Sequence, residues 1–287
     1  TAETPEGDRR VALANWITHP QNPLTYRVIA NRVWSWHFGK GLVSTPSDFG
    51  TGGSTPTHPE LLDWLALQLR NAGGSLKDLH RIILNSQTYR QQSRHESGQF
   101  AVGVDADNDF LWRQNSRRLT AEAIRDSVLA VSGKLNLKSG GPGFEDFSYT
   151  EAYAPIYRYV VADQPELWRR SVYRYVVRTT PNEFLTTFDC PDPASFTPRR
   201  LTTTTPLQSL ALLNNEFLIR QSDYFAKRVF AEVGEEISDQ VIRCFLLAYS
   251  RKPNASELEI SKHFVEEHGL FAFCRVILNS SEFLYID

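Results

Sequence analysis

The sequence predicts a mainly α-helical fold: an irregular multi-helix bundle with one small two-stranded β ribbon. Three observations predict it. Apolar residues recur every three or four positions in several segments, as they do on one face of a helix. Many of these segments begin with a residue that caps helices and end near a glycine. One stretch instead alternates aromatic or β-branched residues with polar ones, which is typical of a strand.

Three helices are predicted in the N-terminal third. Asn22-Pro23 places a capping side chain before a proline, and this helix should end near Gly39. The segment Thr57-His58-Pro59-Glu60 resembles a capping box. Ser75 with Asp78 resembles a second one. Leucine and isoleucine stripes at helical spacing follow both boxes: Leu61, Leu62, Leu65 and Leu69 after the first, and Leu76, Leu79 and Ile83 after the second.

Three more helix starts are predicted further along. Thr120 precedes an apolar face of Ile124, Val128 and Val131. Thr205-Pro206-Leu207-Gln208 combines a cap, a proline and a glutamine at the box position, and it predicts one long helix that continues toward Phe230. Asn254 with Glu257 starts another helix.

The strand-like stretch is an internal repeat. Tyr157-Arg158-Tyr159-Val160-Val161 recurs as Tyr173-Arg174-Tyr175-Val176-Val177. Both copies alternate with period two, so we expect residues 157–161 and 173–177 to pair as the β ribbon. Their connection is longer than a tight hairpin and should project as a flap.

The chain is long enough for one large core or two smaller ones. We expect an N-terminal helical part over 1–95, a central part with the ribbon over 105–235 and a C-terminal helical hairpin over 236–287, together forming one compact unit. The polar span 91–109 is the best linker candidate. The chain has no initiator methionine, which predicts a piece of a longer protein.

Composition argues against several classes of protein. A formal charge of −2 gives no reason to bind a nucleic-acid backbone, and no apolar run is long enough to span a membrane.

We expect no cofactor and no metal in this piece: His263 to His268 misses an inverted zinc motif by one residue, and the glycine-rich segment 139–143 indicates a plain turn. Cys244 and Cys274 either form a bridge or remain buried thiols.

Motifs along most of the chain resemble one protein family. The most specific are Asn31-Arg32-Val33-Trp34, Pro46-Ser47-Asp48-Phe49-Gly50, His58-Pro59-Glu60-Leu61-Leu62-Asp63-Trp64, Leu119-Thr120-Ala121-Glu122-Ala123-Ile124-Arg125-Asp126 and Phe188-Asp189-Cys190-Pro191-Asp192-Pro193. Together they resemble a planctomycete-associated domain of unknown function, family 1553 of that series.

The resemblance implies a context for the chain. Domains of this family usually lie at the C-terminal end of exported multidomain proteins, after an upstream domain and often with a cytochrome c module. It therefore implies a periplasmic or otherwise extracytoplasmic location and upstream domains of the same polypeptide as partners. The resemblance transfers no catalytic residue.

Several polar side chains lie in segments that the bundle should bring together. As acid, base or proton carrier we single out Asp48, His58, Asp63, His80 and Asp126. As ligand-binding groups we single out Arg32, Arg81, Arg125, Arg199 and Arg200, the last two beside the hydroxyls of 202–205. The alternative is that these groups pair with one another, or with acids such as Asp189, and only hold helices together.

Two functions are compatible with this set. The first is a helical module that binds or processes carbohydrate-like or anionic polymer material in a polar Arg/His/Asp pocket, with a polysaccharide or small anion as ligand. The second is a scaffold without catalytic activity that docks an upstream domain or an electron-transfer module. An open cleft lined by carboxylates and a histidine favours the first, and an exposed apolar face favours the second.

Overall fold

The computed structural model describes residues 4–94, 98–161 and 163–286, which form two compact units. Unit 1 ends at Arg117, and unit 2 runs from Arg118 to Ile286. Each unit has its own cluster of buried apolar side chains. Helices dominate both units, which confirms the predicted mainly α class. No described helix has the length and apolar character that a membrane span requires.

The described part of unit 1 contains five α-helices: α1 (Glu6–Thr18), α2 (Pro23–Phe38), α3 (Pro59–Asn71), α4 (Leu76–Leu84) and α5 (Gly98–Val104). Helix α2 packs against both α3 and α4. Their apolar faces form the core, whose most buried members are Ala30, Val33, Leu65, Leu69, Leu79 and Ile83. Helices α1 and α5 bury no side chain. Helix α5 lies in the span predicted as a linker, of which residues 95–97 fall outside the described residues.

The ends of α2 follow from its sequence. Asn22 Oδ1 accepts a hydrogen bond from Leu24 N at 2.9 Å, and Pro23 occupies the first turn. Gly39 ends the helix with a φ of 79°, a conformation that glycine adopts without a steric penalty. Both ends were predicted. The start of α3 was predicted one residue early, because His58 and not Thr57 occupies the capping position.

A buried asparagine ties the loop after α2 to the helix. Asn31 Nδ2 donates to Val43 O, and Asn31 Oδ1 accepts from Val43 N, both at 2.9 Å. Asn31 is completely buried. Gly41 packs so closely that a Cβ atom there would lie 2.7 Å from both polar atoms of the Asn31 amide.

The described part of unit 2 contains seven α-helices: α6 (Ala121–Val131), α7 (Glu183–Thr187), α8 (Pro206–Asn214), α9 (Glu216–Val233), α10 (Ile237–Tyr249), α11 (Ala255–Leu278) and α12 (Ser281–Leu284). Helices α9, α10 and α11 pack against one another, and α6 packs against α7 and α9. The core lies between them and includes Ile124, Phe188, Leu218, Phe225 and Val229.

The long helix predicted from Thr205 toward Phe230 is two helices. Thr205 and Gln208 form the predicted capping box, but α8 ends at Asn214. Asn215 is extended, and its Oδ1 accepts from Phe217 N at 2.9 Å, so it caps α9. The prediction failed here because an asparagine side chain competes for backbone N–H groups inside a helical pattern. The starts predicted at Thr120 and Asn254 are confirmed.

The described residues also form four short strands, β1 (Arg117–Arg118), β2 (Phe147–Thr150), β3 (Ile156–Tyr159) and β4 (Tyr285–Ile286), and two 3₁₀ helices, Pro165–Trp168 and Ser171–Tyr173. Strands β2 and β3 form an antiparallel ribbon with Phe147 opposite Tyr159 and Tyr149 opposite Tyr157. The first copy of the repeat is therefore a strand, but its predicted partner is wrong.

The second copy of the repeat pairs elsewhere. Ser171–Tyr173 is a 3₁₀ helix, and Arg174 forms an isolated bridge with Phe144. Phe144 N donates to Tyr173 O at 2.9 Å and Tyr175 N donates to Phe144 O at 2.8 Å. Strand β2 is close to β3 in the chain, so a local hairpin closes a shorter loop than the predicted pairing of 157–161 with 173–177.

Candidate functional site

The two acidic site residues predicted in unit 1 are engaged by their neighbours. Asp63 Oδ1 accepts from Arg27 Nε on α2 at 2.6 Å. Asp48 Oδ1 accepts from Gly50 N at 2.8 Å and so closes its own turn. Both carboxylates therefore have local structural roles.

Two histidines of unit 1, His37 and His80, form a pair that the sequence did not indicate. His80 Nδ1 on α4 lies 2.7 Å from His37 Nε2 on α2, so one proton is shared between the two rings. Trp36 stacks on His80 with ring centroids 6.4 Å apart. Burial lowers the pKa of His37, and the charges of His80 and Arg117 lower it further. These effects favour the neutral form of His37.

The remaining candidates of unit 1 are also separate. Arg81 pairs with Asp78 one turn away, and His58 Nδ1 lies 3.1 Å from Thr57 Oγ1. Arg32 Nε is buried without a hydrogen-bond partner in the described part of the chain. Within the described residues, no two of the predicted site residues of unit 1 share a hydrogen bond or an ion pair.

In unit 2, Arg125 and Asp126 lie together on α6. Arg125 is 9% exposed and donates to Leu167 O at 2.6 Å and to Arg169 O at 3.0 Å. Burial lowers the pKa of Arg125, which nearby Asp126 opposes. Asp126 Oδ1 accepts from both the N and the Oγ of Ser171, at 2.8 and 2.7 Å. The two side chains thus hold the segment 167–171 against α6.

Arg199 and Arg200 have different environments. Arg200 forms a bidentate pair with Glu122, at 2.6 and 2.8 Å. Burial raises the pKa of Glu122, but the Arg200 contact outweighs it and the pKa is lowered. Arg199 is exposed, and no hydrogen bond joins it to another described residue. Asp189, the acid expected beside this pair, binds Arg118 at 2.6 Å instead.

The cysteines are thiols. Cys244 Sγ on α10 and Cys274 Sγ on α11 lie 3.9 Å apart, and both side chains are completely buried. Burial raises the pKa of Cys274, as does the neighbouring thiol. Burial also raises the pKa of Cys190, assisted by Glu122, so its thiolate is disfavoured. In the ranges 4–94, 98–161 and 163–286, no three His, Cys, Asp or Glu side chains are grouped to hold a metal ion.

Unit 2 contains a cleft of about 450 Å³, within the size range of small-molecule sites. Four arginines and two carboxylates line it, an excess of two positive charges. Arg125, Leu167 and Trp168 lie on one side. Strand β3, α7 and the start of α9 supply Arg158, Glu183, Arg220 and the rings of Tyr157, Tyr159, Phe184 and Phe217. Asp146 immediately precedes β2, and Arg174 follows the 3₁₀ helix Ser171–Tyr173.

A buried ion pair lies in the lining of the cleft. Arg174 Nε donates to Asp146 Oδ2 at 2.7 Å, and their side chains are 6% and 14% exposed. Burial lowers the pKa of Arg174, but Asp146 outweighs this effect and the pKa is raised. Arg174 Nη2 and Asp146 Oδ1 have no hydrogen-bond partner among the described residues. The pair therefore retains one unused donor and one unused acceptor.

Two further arginines belong to the cleft. Arg158 is exposed on β3, and its guanidinium forms no hydrogen bond or ion pair with any other described residue. Arg220 on α9 is held by Glu216 at 2.7 Å. Arg158 is thus a cation that remains available to a ligand.

Sequence reasoning found Arg125 but missed the rest of this lining. The available signal was the repeated Tyr-Arg-Tyr-Val-Val, which we interpreted only as a pair of strands. Each copy contributes its arginine, Arg158 or Arg174, to the same cleft.

The comparisons with known proteins give a family and no function. A family model described as PSD1, protein of unknown function (DUF1553), matches residues 9–265. No curated protein and no solved structure matches the chain. Since the family model covers most of the sequence, the chain belongs to the DUF1553 family of proteins of unknown function.

Proposed function

We propose that the cleft of unit 2 binds a sugar that carries an acidic group. The observation that carries this proposal is the combination of an unpaired arginine at the cleft, Arg158, with a buried Arg174–Asp146 pair that retains one free donor and one free acceptor. A guanidinium group binds carboxylates and sulfates through charge-assisted hydrogen bonds.

The unused atoms of the ion pair favour a sugar over a simple anion. Arg174 Nη2 and Asp146 Oδ1 are buried, so a ligand reaches them only when the side chains that cover them move. A hydroxyl group both accepts and donates a hydrogen bond, so it can then serve as partner to either atom. The lining also contains Tyr157, Tyr159 and Phe217. Aromatic faces pack against the C–H face of a sugar ring. The two carboxylates of the lining are Asp146, which is paired with Arg174, and Glu183.

The proposal is tested with three sugars that share one ring: galacturonate, galactose 6-sulfate and galactose. Isothermal titration of the full chain should show that either acid binds more tightly than galactose. Arg158→Gln should weaken binding of the acids by about tenfold, the loss of one charge-assisted hydrogen bond, and leave galactose unaffected. The backbone of Arg158 pairs with Ser148 regardless of the side chain, so the variant should fold.

Lys252→Gln is the matched control, because it removes one exposed charge of unit 2 away from the cleft. It should bind all three sugars as the wild type does. Equal affinity for the three sugars, or no binding of any, contradicts the proposal.

The wider context is proposed on the resemblance of the motifs alone. The chain would belong to an exported planctomycete protein, with an upstream domain and often a cytochrome c module, in an extracytoplasmic location. A second function, docking of such a domain, is supported by α1, which leaves Leu13, Trp16 and Ile17 exposed.

A further inference from the structure

One face of the β2–β3 ribbon is a row of aromatic rings. Phe147, Tyr149, Tyr157 and Tyr159 alternate with polar or aliphatic residues, so their side chains share this face. Ring centroids of Phe147 and Tyr157 lie 5.2 Å apart, those of Tyr149 and Tyr157 lie 5.4 Å apart, and those of Phe147 and Tyr159 lie 6.1 Å apart. The rings are therefore in contact from one end of the ribbon to the other.

This row is continuous with the cleft. Tyr157 and Tyr159 belong to the lining of the cleft. The Tyr159 hydroxyl donates to Thr180 O, which fixes the inner end of the row. Tyr149 lies directly opposite Tyr157 on β2 and extends the row outside the lining of the cleft, and Tyr175 adds a ring 5.8 Å from Phe147.

Packing of the ribbon does not account for the outer rings. Cross-strand aromatic pairs stabilise a small ribbon, and Phe147 has this role. Tyr149 and Tyr175, however, are 55% and 52% exposed. Rings that served only as a core would be covered, whereas these present surface to solvent beside a binding cleft.

We infer that the aromatic row is a second subsite of the cleft and that the ligand is an oligosaccharide. The inference rests on the proposed function. An acidic unit occupies the cleft, which Arg158 and Arg174 both line. Arg174 lies over the Tyr159 ring at 4.9 Å and adjoins the row, whereas Arg158 alternates with Tyr157 and Tyr159 and projects from the opposite face of β3. The next units of the chain stack on Tyr157 and Tyr149. The row carries no charged side chain, so the units over it bind through their apolar C–H faces and do not need an acidic group.

The experiment measures how affinity depends on ligand length. Galacturonate oligomers of one to five units, and in a second series sulfated galactose oligomers, are titrated into the full chain. The wild type should gain about tenfold in affinity between one unit and three, because the two added units stack on aromatic rings. Tyr149→Ala should remove much of this gain and leave the affinity for the single unit unchanged.

Two further variants keep the test decisive. Tyr175 lies outside the strands, so Tyr175→Ala should reduce the increase in affinity with ligand length without disturbing the ribbon. This variant therefore tests the row even if Tyr149→Ala unfolds the ribbon. Tyr153→Ala is the matched control, because Tyr153 is completely exposed in the loop between the strands and its ring contacts no other described ring.

The outcomes separate the two proposals. If the single unit binds but affinity does not rise with length, the aromatic subsite is refuted and the acidic-sugar cleft stands. If no sugar of either series binds, both fail. If Tyr153→Ala reduces the gain as much as Tyr149→Ala, the effect does not come from the row and the inference is overturned.

Discussion

At the scale of single residues, buried polar side chains fix the loops of both units. Asn31 in unit 1 satisfies both backbone groups of Val43, and Arg125 in unit 2 holds two carbonyl oxygens of the segment 167–169. Each of these side chains replaces the hydrogen bonds to water that the backbone groups lose on burial. A buried N–H or C=O group without a partner is costly, so removal of such a side chain penalises the folded state.

We expect Asn31→Ala to destabilise the protein by about 2–4 kcal/mol. The substitution leaves the buried N–H and C=O groups of Val43 without a hydrogen-bond partner, at a cost of roughly 1–3 kcal/mol each that water relieves in part. Urea unfolding followed by circular dichroism measures the change in the free energy of unfolding. Asn85→Ala is the control, since Asn85 is exposed and its Nδ2 donates only to Arg81 O at its own helix end. A loss at Asn31 no larger than at Asn85 contradicts the assigned role.

The sequence could indicate individual candidate residues, but it could not indicate which residues they contact. The arginine at position 125 was singled out from its place on a helix, and it does line the cleft. His80 was singled out as well, yet its partner His37 could not be found, because the two rings meet only through the packing of α2 on α4. Sequence patterns report local structure, and contacts between distant segments depend on the fold.

At the scale of elements, the same distinction explains which predictions held. Helix starts at Asn22, Thr120 and Asn254 were predicted because a cap and its target N–H lie within three residues. The partner of the 157–161 strand was not predicted correctly. Both 147–150 and 173–177 alternate as a strand does, and the segment that pairs is 147–150, which closes the shorter loop. The break between α8 and α9 could not be predicted, because it depends on the orientation of the Asn215 side chain, which accepts a hydrogen bond from Phe217 N.

An arginine between two carboxylates joins three elements of the C-terminal region. Arg251, just after α10, contacts both oxygens of Glu257 on α11, at 2.8 Å each, and both oxygens of Glu282 on α12, at 2.6 and 2.7 Å. The Arg251 hydrogen bonds lower the pKa of Glu257 to about 2. Its usual value is 4.5, so the unfolded chain binds this proton more readily than the folded chain does.

Arg251→Gln should therefore destabilise the protein above pH 4.5, where Glu257 is charged in both states. The contribution is lost as the pH falls through 4.5 toward about 2, because Glu257 is then protonated in the unfolded chain and finally in the folded one. The stability difference between wild type and variant should shrink across this window. Unfolding by urea at pH 7, 4 and 2.5 measures it, and a difference that is constant with pH contradicts the linkage.

At the scale of the whole molecule, the cleft is assembled from segments far apart in the sequence. Its lining extends from Arg125 to Gln221 and includes the ribbon, α7 and α9. No motif within one segment contains enough of it to predict the site, which is why the family motifs and the cleft overlap only at α6. The helical class could be predicted because many local signals agree on it. The site could not, because it depends on contacts between distant segments.

The division into two units has a consequence for experiments. All residues that line the cleft and form the aromatic row belong to unit 2, and the core of unit 2 contains no residue of unit 1. A domain with its own hydrophobic core can in principle fold without its neighbours. Residues 118–286 alone should therefore contain the complete proposed binding site.

We expect the fragment 118–286 to unfold in one cooperative thermal transition and to bind galacturonate as the full chain does. The fragment 1–117 should fold on its core between α2, α3 and α4 and bind none of the sugars, which makes it the matched control. Calorimetry and titration measure the two properties separately. A fragment 118–286 that folds but does not bind places part of the site in unit 1, and one that melts without a cooperative transition shows that its core is incomplete without residues 1–117.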